Sequence, residues 1–220
     1  LCLIESLDNE ISLIEINSET DFVAKNKEFI SFCREESKIN FNKKSDLNEI
    51  KKYKINNGQA VEDSLIDLIA KIGEKITLRR SIFFDNKNGV NSFYIHNSSE
   101  ENIGKIISIV KTSKSDNTEI GKKISMHISA MSPLALDKES LDKKIVEKEV
   151  EIIKAELTNS GKKPEMIEKI SQGKINKFIT DNTLINQVWI MDPKKKVSDI
   201  LKENSIKILD FVRYKVGEGI

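Results

Sequence analysis

The chain of 220 residues, of which 38% are apolar and 32% charged, is long enough to bury the core of one or two domains. Its 36 lysines and arginines nearly balance its 35 aspartates and glutamates, so it lacks the surplus of cations with which nucleic-acid-binding proteins displace counterions. The longest apolar runs are far too short to span a membrane, and the few cysteines and histidines are unclustered, which argues against a structural zinc site.

The ends and the cysteines of the chain indicate its context. The sequence begins at Leu1 rather than at a methionine and stops directly after Gly219 and Ile220, so we expect a fragment of a longer protein. Cys2 and Cys33 fit a reducing compartment in which both thiols act as small apolar groups. We therefore expect a cytoplasmic protein, with an organelle matrix as the alternative.

The first predicted elements are a β-hairpin and a helix. Residues 3–4 are apolar and precede Asp8-Asn9, a dipeptide typical of a tight turn, and a second apolar strand follows up to Ile16. Asn26 is placed to cap a helix, because its side chain can accept hydrogen bonds from first-turn amides. The apolar members of 29–33 then fall on one side at helical spacing.

Between this strand and this helix the chain carries the polar segment EINSETDFVAKN, with a large aromatic residue, Phe22, directly after the carboxylate of Asp21. One interpretation is that Phe22 packs before the helix start and staples the chain entry, while Asp21 satisfies turn amides. The other is that a rigid elbow offers an apolar wedge and a carboxylate to a partner protein, since compact aromatic anchors dominate many interfaces.

The same order of elements recurs in the middle of the chain. Apolar residues 93–95 are followed by 96–102, which we expect to form a loop, and 103–110 predict another strand. A polar stretch at 111–117 leads into a helical pattern that contains His127. Hairpin, polar elbow and helix thus occur twice, which indicates two related subdomains.

Between the two copies, the pattern predicts a helix over 65–72, ending near Gly73, and a strand over 76–84. Near the C-terminus, a short helix at 197–201 precedes a strand over 206–216, and we expect one face of this strand to carry Ile206, Ile208, Val212, Tyr214 and Val216.

The last third is dominated by two amphipathic helices. Their apolar stripes run over 141–157 and 167–179, with Gly161 and Pro164 marking the turn between them and Gly173 predicting a break in the second. Such a pair is typical of an antiparallel helical hairpin. Because helices and antiparallel strands mix without repeated βαβ units, the predicted fold class is α+β, with two related subdomains of strands and helices and this hairpin, or coiled coil, as an insertion.

The sequence contains no recognisable catalytic constellation. It has neither GxxxxGK[ST] nor GxGxxG to cradle a phosphate, and neither Cys33 nor any serine has an obvious histidine partner in the sequence. His127 lies between Ile124 and Ile128, and from the residues alone we interpret it as a half-buried histidine with a satisfied hydrogen bond. We therefore expect no cofactor, no metal and no enzymatic activity.

Six segments, in order, resemble those of one translation-factor family, elongation factor Ts. The elbow segment EINSETDFVAKN closely resembles the family's signature, and the later blocks are AKIGEKITLRR, NIGKIISIV, KKISMHISAMSP, SGKKPEMIEKISQGKINKF and FVRYKVGEGI. The resemblance extends over essentially all 220 residues. The family's N-terminal ubiquitin-associated-like module has no counterpart in this sequence, so we expect these residues to correspond to the family's core.

The resemblance implies a division of the chain. Residues 1–115 resemble the first core subdomain, 116–160 the first part of the second, 161–192 the helical hairpin or dimerisation insertion, and 193–220 the closing part of the second.

The resemblance also implies a guanine-nucleotide exchange factor that binds elongation factor Tu·GDP and promotes GDP release during translation elongation. A homodimer through the hairpin is a further implied partner, whereas neither membrane nor nucleic acid is expected. The alternative is a non-catalytic assembly module whose hairpin mediates oligomerisation.

In that family the Thr-Asp-Phe-Val elbow enters the partner's GTPase domain, where its aromatic residue wedges between two helices. Two further residues of this chain match positions associated with partner contact. The residues that the resemblance implicates in binding elongation factor Tu are therefore Thr20, Asp21, Phe22, Val23, Ile103 and His127.

Overall fold

The computed structural model describes residues 1–44, 47–55, 58–113, 118–159 and 164–219. The strands in these ranges are β1 (Cys2–Leu7), β2 (Glu10–Ser18), β3 (Ile76–Phe84), β4 (Val90–Glu100), β5 (Ile103–Thr112) and β6 (Ile208–Lys215). The α-helices are α1 (Lys27–Lys43), α2 (Leu47–Ile50), α3 (Val61–Ile72), α4 (Thr118–Met131), α5 (Lys143–Asn159), α6 (Pro164–Asn182) and α7 (Val197–Glu203). This mixture confirms the α+β class.

All the named strands belong to one antiparallel sheet. Its order is β3-β2-β1-β5-β4, and β6 also pairs with β5. Strand β1 meets β5 at Ile103 and Gly104, and β6 pairs with β5 from Ile106 onward, so these two strands share one edge of β5 while β4 occupies the other. Strand β5 therefore joins the N-terminal and C-terminal halves.

Side chains alternate across the sheet because successive residues of a strand point to opposite faces. In β2, Ile14 and Ile16 pack against α1 and α3, whereas Ile11 and Leu13 face a second core between the strands. A third core lies under α4 and α7, around Trp189. Both copies of the hairpin-and-helix pattern thus adopt the same arrangement, with α1 on β1 and β2 and α4 on β4 and β5.

Local signals in the first hairpin and helix are confirmed. Asp8 and Asn9 both have positive φ, as a two-residue hairpin turn of the favoured type requires. The side chain of Asn26 accepts hydrogen bonds from the amides of Glu28 and Phe29 at the start of α1. The helix predicted to end near Gly73 does so, and Gly73 has a left-handed conformation (φ 78°).

The prediction of a loop at 96–102 is wrong, because β4 continues to Glu100. His96 pairs with Ile106 and Ser98 with Gly104, so hydrogen bonding to β5 overrides the polar composition of this stretch. The beginning of the polar stretch at 111–117 likewise belongs to β5, and residues 114–117 lie outside the described ranges.

Helices α5 and α6 form the predicted antiparallel hairpin, with Glu156 and Lys174 paired across it at 2.7 Å. The break predicted at Gly173 is wrong, since α6 runs through it, and Gly161 lies outside the described ranges. Paired helices span 143–182, so the implied hairpin range of 161–192 contains one of them. The implied domain boundaries and homodimerisation stay predictions.

The last strand begins at Ile208 rather than at 206. A register shift beside Ile208 turns this residue toward the core under α4, whereas Val212 and Tyr214 face the core between the strands. The predicted single apolar face is therefore wrong, because a β-bulge reverses the alternation. Among the described residues, no helix is both long enough and apolar enough to cross a membrane.

Candidate functional site

The elbow, defined here as residues 19–26, connects β2 to α1 and is fastened at its base. The backbone N–H and hydroxyl of Thr20 both donate to the carboxylate of Glu74, at 3.0 and 2.7 Å. Glu19 in turn accepts a hydrogen bond from the Lys75 amide. These bonds hold the elbow on the loop between α3 and β3, so its conformation is fixed by contacts far away in sequence.

A single turn of 3₁₀-helix, Val23–Lys25, forms the tip of the elbow and decides which side chains face solvent. Val23 is buried in the core under α1. Phe22 is 87% exposed, more than any other large apolar side chain in the described ranges. The interpretation of Phe22 as a staple packed before the helix is therefore wrong, and the surface-wedge interpretation agrees with its position.

Beside the elbow is a cleft of about 520 Å³ between the two halves of the sheet. Thr20, Asp21 and Ala24 line one wall, and Lys105 and Lys215 belong to the wall formed by β5 and β6. Asp21 faces Lys105 across it at 3.7 Å, with both side chains largely exposed. An exposed pair of this kind contributes little to stability, so Asp21 remains accessible to a partner.

The six implicated residues do not form one surface. Thr20, Asp21 and Phe22 are exposed together at the elbow. Val23 and Ile103 are buried in the same core beneath it, where Ile103 is 1% exposed.

His127 lies in the other half of the molecule, fully buried on α4. Its Nε2 is 3.0 Å from Oε1 of Gln187, and the Ile190 amide donates to its Nδ1 at 3.3 Å. The side-chain amide of Gln187 donates to two carbonyl groups, so its oxygen accepts and Nε2 carries the proton. Burial lowers the pKa of His127, although the bond to Gln187 opposes the shift, and the imidazole is neutral.

The segment that His127 holds is an exposed apolar loop, residues 188–191, which sequence reasoning missed. The Trp189 ring stacks on the imidazole with centroids 5.1 Å apart, and its burial turns the flanking side chains outward. Val188, Ile190 and Met191 are each 43–47% exposed. The sequence signal was the run VWIM, but which of its side chains is buried depends on the packing of Trp189 under α4.

Buried titratable groups offer no metal site in the described ranges, since no three His, Cys, Asp or Glu side chains there cluster suitably. Burial raises the pKa of both thiols, Cys2 and Cys33, to about 12, so both stay protonated and unreactive in the folded chain. The features that distinguish the site are therefore exposed apolar side chains on a rigid support.

Comparison with known proteins gives consistent matches. The family model for elongation factor TS matches residues 19–218. The elongation factor Ts of Gluconobacter oxydans (strain 621H) is 34% identical over 221 residues, which cover 99% of this chain and 73% of that protein. The Mycoplasma genitalium and Dinoroseobacter shibae proteins of the same name are each 39% identical, covering 94% and 97% of this chain and 70% and 72% of their own lengths.

These matches, together with the α+β fold, assign the chain to the translation elongation factors, with a role in protein biosynthesis. Within that class, the chain belongs to the elongation factor Ts family.

Proposed function

We propose that this protein is a guanine-nucleotide exchange factor that binds elongation factor Tu·GDP in the cytoplasm and promotes GDP release without catalysing a chemical reaction. The observation that carries the proposal is Phe22, an almost fully exposed aromatic side chain on an elbow fastened through Thr20 to Glu74. A rigid, exposed aromatic side chain loses little conformational entropy on docking and gains its full burial energy there.

Energetics require more than this one side chain. An exchange factor must bind the nucleotide-free GTPase more tightly than the loaded one, and the linkage is reciprocal. Weakening GDP binding by about 10⁴-fold needs about 5.5 kcal/mol of differential binding. Burial of one phenylalanine supplies about 1.5–3 kcal/mol, so a second contact is needed.

The apolar loop, residues 188–191, is our candidate for that second contact. It exposes Ile190 and Met191, and it belongs to the half of the molecule that does not contain the elbow. His127 would then act from beneath, since its hydrogen bond from the Ile190 amide holds the loop in place. Asp21 adds a carboxylate that repels the nucleotide's phosphates or competes for groups that organise the partner's Mg²⁺.

The first prediction is that Phe22→Ala slows GDP release from elongation factor Tu while leaving the fold intact. Loss of about 1.5–3 kcal/mol of contact corresponds to a decrease between about tenfold and hundredfold in rate. Release of fluorescent GDP, followed with and without the chain, measures the effect. Circular dichroism and a melting curve check the fold, which should not change because the side chain is exposed.

Leu7→Ala is the matched control. Leu7 is also a large exposed apolar side chain, at 61%, but it lies at the turn between β1 and β2. Its removal should leave GDP release unchanged. If Phe22→Ala accelerates GDP release from elongation factor Tu as much as the wild type does, the wedge is refuted. If the wild type does not accelerate that release, the exchange activity is refuted.

A further inference from the structure

A buried carboxylate, Glu15, lies in β2 a few residues before the elbow. Its side chain is 0% exposed and accepts three hydrogen bonds, from Arg79 at 2.8 Å, Arg80 at 2.6 Å and the backbone N–H of Gly217 at 3.0 Å. Burial by itself would raise the pKa of Glu15, but the hydrogen bonds from Arg79, Gly217 and Arg80 outweigh it and lower that pKa. The Glu15 carboxylate is therefore charged, and both of its oxygens accept hydrogen bonds.

A β-bulge explains how two consecutive arginines reach one carboxylate. Glu15 pairs with Arg80 and Ile16 with Leu78, so Arg79 is an extra residue in β3. Neighbouring residues of a regular strand point to opposite faces, whereas a bulge opposes two residues to one on the partner strand.

The same cluster extends to the C-terminal end of the described chain. The guanidinium of Arg80 lies 4.1 Å from the ring centroid of Tyr214, and Arg79 donates to the Glu218 carbonyl. Glu218 also pairs with Arg213. Strand β2, which leads into the elbow, is thereby tied to the end of β6, which forms the opposite wall of the cleft.

Across the cleft itself, the elbow is held only weakly by the exposed pair of Asp21 and Lys105. Its stronger bonds, to Glu74 and Lys75, fasten it to its own half of the sheet. The buried cluster at the floor therefore adds a charged link between the strand that leads into the elbow and the end of β6, beside the pairing of β1 with β5 and the core that Val23 shares with Ile103.

We propose that Glu15 is a positioning residue: by binding Arg79, Arg80 and the Gly217 amide, it fixes the elbow relative to the end of β6 and so presents Phe22 in the orientation that the GTPase binds. This role rests on the proposed exchange function. Without the cluster, the elbow would adopt several orientations, and the apparent affinity would fall by the fraction that is competent.

The test separates binding from the step that follows it. Fluorescent-GDP release from elongation factor Tu is measured over increasing concentrations of the chain, at a temperature where every variant is folded. If about one fifth of molecules remain competent, Glu15→Gln raises the half-saturating concentration about fivefold and leaves the maximal rate unchanged. Glu10→Gln, on the same strand but paired with exposed Lys44, should change neither quantity.

A second measurement does not depend on GDP release. Spin labels at Lys25→Cys, an exposed position of the elbow, and at Lys215→Cys, on the opposite wall of the cleft, report the distance across it, because the native cysteines are buried. Glu15→Gln should broaden the distribution of distances, and Glu10→Gln should not. An unchanged distribution would overturn the positioning role, whatever the kinetics show.

The kinetic outcomes are equally decisive. A folded Glu15→Gln chain with a wild-type half-saturating concentration overturns the proposal, as does a reduced maximal rate alone. If Glu15→Gln does not fold, Arg79→Met replaces it, because Glu15 then keeps its bonds to Arg80 and Gly217. An Arg79→Met chain whose half-saturating concentration equals that of the wild type would overturn the proposal. If the wild type does not accelerate GDP release from elongation factor Tu, the exchange function is refuted. The spin-label distances then still show whether Glu15 fixes the elbow relative to β6.

Discussion

Phe22 and Val23 are adjacent in sequence and similar in polarity, yet one is 87% and the other 6% exposed. The turn of 3₁₀-helix at the elbow places them on different sides, and Thr20 holds the turn through its hydroxyl. Position in a turn, rather than hydrophobicity, therefore selects the residue available to a partner.

Glu36 is a buried carboxylic acid whose surroundings disfavour its charged form. It is 0% exposed on α1, and neither carboxylate oxygen has a hydrogen-bond partner there. Burial, and secondarily the charge of Glu35, raises the pKa of Glu36 to about 8. The carboxyl is therefore mostly protonated near neutral pH, since an unpaired buried charge is costly.

We predict a pH-dependent stability from this group. The unfolded chain releases the Glu36 proton near pH 4.5, the ordinary pKa of a glutamate side chain, and the folded chain keeps it up to about pH 8. Between these values the folded state binds more protons, so its stability falls as pH rises. Glu36→Gln removes this loss, and its stability relative to the wild type should increase by about 2–3 kcal/mol from about pH 5 to about pH 7.

Denaturant titrations of both chains at several pH values measure the difference. Glu28→Gln, an exposed change on the same helix, is the control and should show only a small effect. If the difference in free energy of unfolding between Glu36→Gln and the wild type is the same at both pH values, Glu36 is ionised in the folded chain and the prediction is wrong.

At the scale of elements, the two glycines of α3 and α6 show how one residue type takes opposite roles. Gly73 ends α3 in a left-handed conformation that side chains rarely adopt. Gly173 lies inside α6 with ordinary helical geometry, and a Cβ atom there would meet nothing within 4 Å. The sequence pattern predicted a stop at both, and the packing of α6 on α5 overrides that preference at Gly173.

We expect Gly173→Ala to stabilise the chain by about 0.5–1 kcal/mol, because alanine restricts the unfolded backbone and favours the helix. Gly73→Ala, which also meets open space, should destabilise by about 1–2 kcal/mol, because its φ is positive. Thermal unfolding followed by circular dichroism compares the two. Destabilisation by Gly173→Ala would contradict the ordinary helical geometry and open space at this position.

At the scale of the whole molecule, β5 makes the two halves of the sheet interdependent. It pairs with β1, β4 and β6, and the core between the strands joins Ile4 and Leu13 from one half to Ile107 and Tyr214 from the other. Separating the halves would expose this core and break the Glu15 cluster. The two halves of the sheet therefore share one core in the described chain.

We predict that both halves unfold together. Trp189, the single tryptophan, reports on the core under α4, while the buried thiols of Cys2 and Cys33 report on the N-terminal half. Tryptophan fluorescence and thiol labelling should show the same denaturant midpoint. Thiols that become reactive at a lower denaturant concentration than the fluorescence change would contradict a single unit.

The sequence by itself determined what depends on neighbours along the chain. The Asp8-Asn9 turn and the Asn26 cap follow from local backbone geometry and hydrogen bonding. The polar elbow that contains Phe22 was recognisable between the strand and the helix, although the exposure of Phe22 was not.

Tertiary structure alone decided what depends on distant partners. The extension of β4 to Glu100 needs β5, and the direction of the side chains around Ile208 needs a bulge. The burial of His127, with the outward turn of Ile190 and Met191, needs Trp189. The convergence of Arg79, Arg80 and the Gly217 amide on Glu15 likewise appears only when β3 pairs with β2 and the residues after β6 reach that strand, because spatial proximity between residues remote in sequence is set by packing.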